Sequence, residues 1–290
     1  MSMTDSLLQT DDMSAASRLL DAGFAERSVS VGDAMVSYRQ CGSGPVIVLL
    51  HGIGSGAASW LHCGMELGRE AQVVAWNAPG YGNSTGLPMA QPSAADYAVR
   101  LEQFLAALGI QECLLVGHSL GAMMAAAYVA AGRRRVAQLL LLSPAQGYGS
   151  EALRERGATI ASERLQALAA LGPQGMAQNS SGRMLSPQAG EAARAMVRWN
   201  MARLNPDGYT QAVHMLCGDD IHRYVPAAVP AAVYCGAADV VTTPQASSTL
   251  AEAFHLPFGL IDAAGHACYV EQPAAVAAVI RQHLKQLFQD

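Results

Sequence analysis

The chain has 290 residues, of which 51% are apolar and 14% charged, with a formal net charge of −5. That much apolar material suits a buried parallel sheet, and the length fits one α/β domain carrying an insertion. The acidic balance leaves no basic stripe for nucleic acid, and no apolar run reaches the roughly 20 residues of a membrane span.

Taken in chain order, a polar N-terminal stretch with a short helix expected from Ser14 leads into a hairpin. Its strands are predicted over 27–31 and 35–40, turning at Gly32-Asp33. Pro45-Val46-Ile47-Val48-Leu49-Leu50 reads as a buried strand, followed at once by His51-Gly52-Ile53-Gly54-Ser55-Gly56. Glycines there let the backbone turn so that the N–H of Ile53, with that of Leu120, meets an oxygen that becomes negative when a carbonyl is attacked. A dinucleotide fingerprint competes, since Gly52-x-Gly54-x-x-Ala57 fits it loosely. The next strand, however, ends on Asn77, where that reading needs an acid for the ribose. A helix follows Ser93, which forms a capping pair with Asp96. Tyr97, Leu101, Phe104, Leu105 and Leu108 form its apolar face and Gly109 stops it.

Cys113-Leu114-Leu115-Val116 is a second buried strand, and Gly117-His118-Ser119-Leu120-Gly121 after it matches Gly-x-Ser-x-Gly. This is the nucleophile elbow, in which a strained turn between strand and helix lifts a serine hydroxyl clear of the sheet. A helix over 120–131 and a strand over 136–143 come next. Arg133-Arg134-Arg135 reads as a solvated helix end. From 146 to 226 strands disappear, and amphipathic, arginine-rich helical stretches are broken at Gly172-Pro173 and Asn205-Pro206. Strands resume over 229–236, with Asp239 just beyond, and from Phe258, with His266 beyond that strand's end. The order Ser119, Asp239, His266 assigns nucleophile, orienting acid and base. Asp262 is a rival acid but sits within the last strand. His118 is expected to turn away from Ser119, and His51 to have a structural role in its loop.

The six cysteines, Cys41, Cys63, Cys113, Cys217, Cys235 and Cys268, have no ligand spacing, so no metal is expected. The opening Met-Ser-Met-Thr-Asp and the later Asp11-Asp12 carry the wrong charge for a secretory leader. A cytoplasmic protein with reduced thiols is expected.

The triad order, together with two further motifs, resembles the cap-bearing α/β-hydrolases over about Phe24 to Leu287. Asn77-Ala78-Pro79-Gly80-Tyr81-Gly82-Asn83-Ser84 is similar to that family's Asp-x-Pro-Gly-x-Gly-x-Ser turn, with Asn77 in place of the usual Asp. Glu271-Gln272-Pro273 after His266 resembles its last loop. The resemblance implies an α/β-hydrolase fold: a mostly parallel eight-stranded sheet, helices on both faces and an inserted helical cap. The implied division is an N-terminal extension over 1–23, a core over 24–145 and 227–290, and a cap over 146–226.

It also implies a serine hydrolase acting on a small ester or lactone, with no cofactor, most like the enol-lactone hydrolases and carboxylesterases of aromatic catabolism. Carbon–carbon bond hydrolysis of ring-cleavage products and ligand reception on a hydrolase fold are the alternatives. The partner is a small molecule, not nucleic acid or membrane, and a homodimer is left open. Trp60, Met123, Met124 and Trp199 are candidate pocket walls, with core packing as the other reading. Arg183, Arg194, Arg198, Arg203 and Arg223 are candidates to meet a substrate carboxylate, against solvated helix faces paired with acids such as Glu191.

Overall fold

The computed structural model describes residues 3–226 and 228–286, with side chains from Met13 through Lys285. The expected limits at 1, 227, 287 and 290 lie outside the described residues. A helix α1 (Met3–Gly23) precedes β1 (Glu26–Val31) and β2 (Ala34–Cys41), joined where Gly32 takes a φ of 62°. The helix is longer than the short one expected from Ser14. Then come β3 (Val46–Leu50), α2 (Leu61–Leu67), β4 (Gln72–Trp76), α3 (Ala94–Ala107), β5 (Cys113–His118), α4 (Leu120–Ala130) and β6 (Val136–Leu142). Ser93 and Asp96 form the capping box at the start of α3.

The eight strands lie in the order β1-β2-β4-β3-β5-β6-β7-β8, where β7 is Ala231–Gly236 and β8 is Phe258–Ile261. The β1–β2 and β2–β4 pairings are antiparallel and the others parallel. Successive side chains of a strand point to opposite faces, so the apolar runs feed two cores. Val48, Leu50, Val74, Trp76 and Leu115 pack with Phe104 of α3, Met124 of α4 and Leu250 of α8 (Pro244–Ala253). Ile47, Leu49, Val73, Leu114 and Val116 pack on the other face with Leu20 of α1, Leu61 of α2 and Ile280 of the C-terminal helix. Continuous apolar runs are what a strand covered on both faces requires.

Between β6 and β7 the described residues form only helices and an isolated bridge. The helices are α5 (Arg154–Ser180), α6 (Glu191–Met201) and α7 (Pro206–Gly218). Helix α5 breaks at Gly172, whose φ of 60° and ψ of 176° lie outside the helical region, where Gly172-Pro173 was expected to interrupt it. Asn205 caps α7 by accepting from the N–H groups of Asp207 and Gly208, and Pro206 occupies the first turn. After β8 come the one-turn α9 (Cys268–Glu271) and α10 (Pro273–Gln286). No helix among the described residues is long and apolar enough to cross a membrane.

Candidate active site

Ser119 stands between the end of β5 and the start of α4 with φ 53° and ψ −115°, the strained conformation that a nucleophile elbow imposes. The flanking glycines are forced by close approach. A Cβ at Gly117 would lie 2.5 Å from the Gly121 carbonyl oxygen, and one at Gly121 would lie 2.6 Å from the Leu50 carbonyl oxygen. Ser119 thus juts from the C-terminal edge of the sheet while its N–H is tied to the Leu142 carbonyl at 3.0 Å.

The β7 and β8 loops bring the acid and the base to the same edge. The Ser119 hydroxyl lies 3.0 Å from Nε2 of His266, and His266 Nδ1–H donates to Asp239 Oδ2 at 2.9 Å. All three residues are buried, with Ser119 only 5% exposed. Burial alone would raise the Asp239 pKa. The hydrogen bond and charge of His266, the Val241 N–H and the Ser143 hydroxyl overcome that and bring it down to about 2. Oδ1 accepts from the N–H groups of Val241 at 2.7 Å and Thr242 at 3.0 Å. The rival acid Asp262 is exposed in the loop after β8.

The loop after β3 faces this chain of hydrogen bonds. Its N–H of Ile53 has no backbone acceptor among the described residues, and neither has that of Leu120 at the first position of α4. His51 fixes the loop from behind. Its Nδ1–H donates to the Gly52 carbonyl at 2.9 Å, and Nε2 accepts from the Ala78 N–H at 3.0 Å. These bonds require the neutral ring, and burial lowers its pKa to about 4 against the effect of the Gly52 bond. Tyr81 donates to the Ile53 carbonyl at 2.9 Å. Asn77 holds the next turn of the loop by accepting from the Ala57 N–H at 2.8 Å, while its amide N–H₂ donates to Ser37 Oγ at 2.8 Å.

The other named residues separate. Trp60 is fully buried and stacked on Tyr269 at 3.7 Å between ring centroids, so it packs the core rather than meeting a substrate. Met123 and Met124 are buried along α4 in the first core. Trp199 is half-buried, with the Arg203 guanidinium 3.8 Å above its ring. Arg198 pairs with Glu191, the ion-pair alternative to a substrate role. Arg194 donates to the carbonyls of Ala189, Ser186 and Pro187, and Arg223 pairs with Asp219 at 3.2 Å. No group of three or more potential metal ligands occurs among the described residues.

Sequence reasoning missed the contacts that fasten the helical segment to the base. The Met184 carbonyl accepts from the Ala267 N–H at 2.7 Å. Glu271 accepts from the N–H groups of Ser186 and Gly265, each at 2.9 Å, and from the Ser186 hydroxyl. Glu271 belongs to a motif read in the sequence, but its partner Ser186 lies in a segment with no motif.

The chain matches the alpha/beta hydrolase fold family over residues 45–273. A thermophilic esterase from Thermogutta terrifontis is similar in structure, with TM-score 0.78 and 23% identity over 91% of this chain and 99% of that one. The enol-lactonase from Burkholderia xenovorans LB400 gives TM-score 0.76 and 22% identity, covering 89% of this chain and 100% of that one. In sequence, a fluoroacetate dehalogenase from Burkholderia sp is 35% identical over 104 residues, 34% of this chain and 34% of that protein. For the first of the curated relatives, the matched stretch is 31% of its length. With the matched region running from β3 to the start of α10, the chain belongs to the alpha/beta hydrolase fold family.

Proposed function

We propose that this protein is a serine hydrolase that cleaves a small carboxylic ester or lactone through an acyl-enzyme, in the manner of an enol-lactone hydrolase. One observation carries the reading: the continuous hydrogen-bonded line Ser119 Oγ, His266 Nε2, His266 Nδ1, Asp239 Oδ2. Ser119 attacks the carbonyl carbon as its proton passes to His266 Nε2. Asp239 stays ionised, holding the tautomer and stabilising the imidazolium. The N–H groups of Ile53 and Leu120 receive the oxyanion. The proton on Nε2 then goes to the leaving alkoxide, which in a lactone remains tethered to the acyl group. Water, deprotonated by His266, releases the acid and restores Ser119.

The serine at the elbow separates this chain from dehalogenases that use an aspartate there. Trp199 and the helices between β6 and β7 are the proposed wall and cap of the pocket. The six thiols stand without disulfide partners, which supports a cytoplasmic location.

The test is hydrolysis of short nitrophenyl esters and simple lactones by wild type and Ser119→Ala. Turnover that falls about 10⁴-fold or more in the variant supports the reading. Equal turnover in both removes Ser119 as the nucleophile. Turnover of ring-cleavage dienoates alone would favour the carbon–carbon hydrolase, and saturable binding without turnover a receptor.

A further inference from the structure

Thr242 sits three residues beyond Asp239 in the loop between β7 and α8. Its hydroxyl oxygen lies 2.9 Å from Asp239 Oδ2, 3.1 Å from His266 Nδ1 and 3.0 Å from the Ser143 carbonyl oxygen. The hydroxyl has one proton and two acceptors for it, the carboxylate and the carbonyl. His266 Nδ1 carries a proton of its own and offers no lone pair. The loop holds this oxygen in place from several sides. The Thr242 N–H donates to Asp239 Oδ1, and its carbonyl accepts from the Cys235 thiol at 3.2 Å and the Ser247 hydroxyl at 3.3 Å. The next residue, Thr243, caps α8.

Resting on the hydrolase reading above, we propose that Thr242 is a positioning residue whose hydroxyl divides its hydrogen bond between Asp239 and the Ser143 carbonyl. In this way it sets how strongly Asp239 draws a proton onto His266. With His266 neutral, the hydroxyl donates to Oδ2 and takes up part of the carboxylate's charge, which keeps the base free of its proton. When the imidazolium forms, the hydroxyl turns to the Ser143 carbonyl and leaves the whole charge of Oδ2 to the Nδ1–H. No covalent bond to Thr242 forms or breaks. The effect is a difference between the resting and charged states: it lowers the proton affinity of the resting base and so keeps that base available at lower pH.

The groups that face His266 are few. Asp239 and Ser119 bond its ring and His118 bonds its carbonyl, while Cys235 reaches Asp239, Tyr269 packs against His118 and Glu271 holds the Gly265 N–H. His118 is held neutral by burial and by its neighbour His266. Three carboxylates bear on this loop, those of Asp239 and Glu271 and the exposed one of Asp262, and Thr242 touches the first.

The test compares wild type, Thr242→Val, which keeps the shape, Thr242→Ala, which also lacks the hydroxyl, and Thr242→Ser, which restores it. Two readouts are taken: the acid limb of kcat/KM for a nitrophenyl ester, and the NMR titration of the His266 ring, assigned with His266→Gln. Loss of the hydroxyl is expected to raise the proton affinity of His266 about three- to tenfold, moving limb and titration to higher pH together. Thr242→Ser should return both to within about twofold of wild type. If Val and Ala lower the rate at all pH values but leave the titration in place, Thr242 is only structural and the proposal falls. If wild type hydrolyses no ester, the hydrolase reading fails, and the titration alone decides on Thr242: a shift upholds its role and no shift ends it.

Discussion

His118 Nε2–H donates to the backbone carbonyl of His266 at 2.8 Å, so the residue before the proposed nucleophile holds the main chain of the proposed base. Their rings lie 4.8 Å apart, and the edge of Tyr269 closes the other side of His118 at 4.8 Å. His118→Phe keeps a ring in this stack but removes the donor. A carbonyl left without its partner in a buried site costs about 1–3 kcal/mol. Thermal unfolding should drop by several degrees, and ester turnover by about tenfold or more as the His266 loop loosens. Unchanged values for both would mean that this bond holds nothing in place.

Acid sensitivity follows from the two neutral histidines. Burial first, and then the neighbouring His266, lower His118 to about 3, against the pull of its bond to the His266 carbonyl; burial lowers His51 to about 4. Unfolded histidine takes its proton near 6.5. The unfolded chain therefore binds more protons than the fold as pH drops from about 6.5, and stability is lost in that window. Asp239, lowered to about 2, adds a loss of the same sign as pH falls through the range below 3.8. Urea midpoints measured from pH 7.5 down to pH 4.5 should decline steadily. In His118→Phe the decline should be shallower, since one of the contributing histidines is gone, while His51, His62 and His283, all lowered by burial, remain.

The identity of the acid is open to a paired comparison. Asp239 accepts from Val241, Thr242 and His266, whereas Asp262 is exposed. Asp239→Asn is expected to cut turnover by about 10⁴-fold through the wrong imidazole tautomer. Asp262→Asn should stay within about twofold of wild type. The opposite ranking in steady-state assays would transfer the role to Asp262.

Glu271 carries acceptors toward three donors at once, two of them in the helical segment and one beside His266. Glu271→Gln turns an amide N–H₂ toward N–H groups and breaks part of that set. The stretch around the exposed Arg183 should then open more often. Limited trypsin digestion, with cleavage after Arg183 followed by mass spectrometry, is expected to run about tenfold faster in the variant. KM for a good ester should rise more than kcat falls.

How far the sequence carried depends on whether the deciding interactions are local. The hairpin turn at Gly32, the Ser93–Asp96 capping box, the Gly172 break and the Gly117 to Gly121 elbow are each written within a few residues. Each was legible for that reason. The length of α1 was not, because its N-terminal half is polar and has no apolar stripe to mark it; Ala16 and Leu20 supply the buried contacts further along. Trp60 stayed between two readings because an aromatic near a reactive loop looks the same whether it faces a ligand or stacks on Tyr269, as it does here. Asn77 was read as the loss of a charge, and the structure adds what the amide gains: a donor to Ser37 40 residues away. Glu271 meets Ser186 across 85 residues, and spacing along the chain carries no trace of that. Thr242 went unread although its signal is local, since an aspartate whose side chain accepts from the second and third N–H groups ahead makes a recognisable turn.

The helical segment leaves and rejoins the core at one place. Gly147 bridges Asp220, the Ile221 N–H reaches the Gln146 carbonyl at 2.9 Å, and buried Asp219 accepts from the Ala94 N–H at 2.7 Å and the Tyr224 hydroxyl at 2.8 Å. An insert whose ends meet asks little of its host, because the strands on either side keep their spacing whatever lies between. In evolutionary terms it is a cassette. Its length or sequence can change without moving the frame in which Ser119, Asp239 and His266 meet.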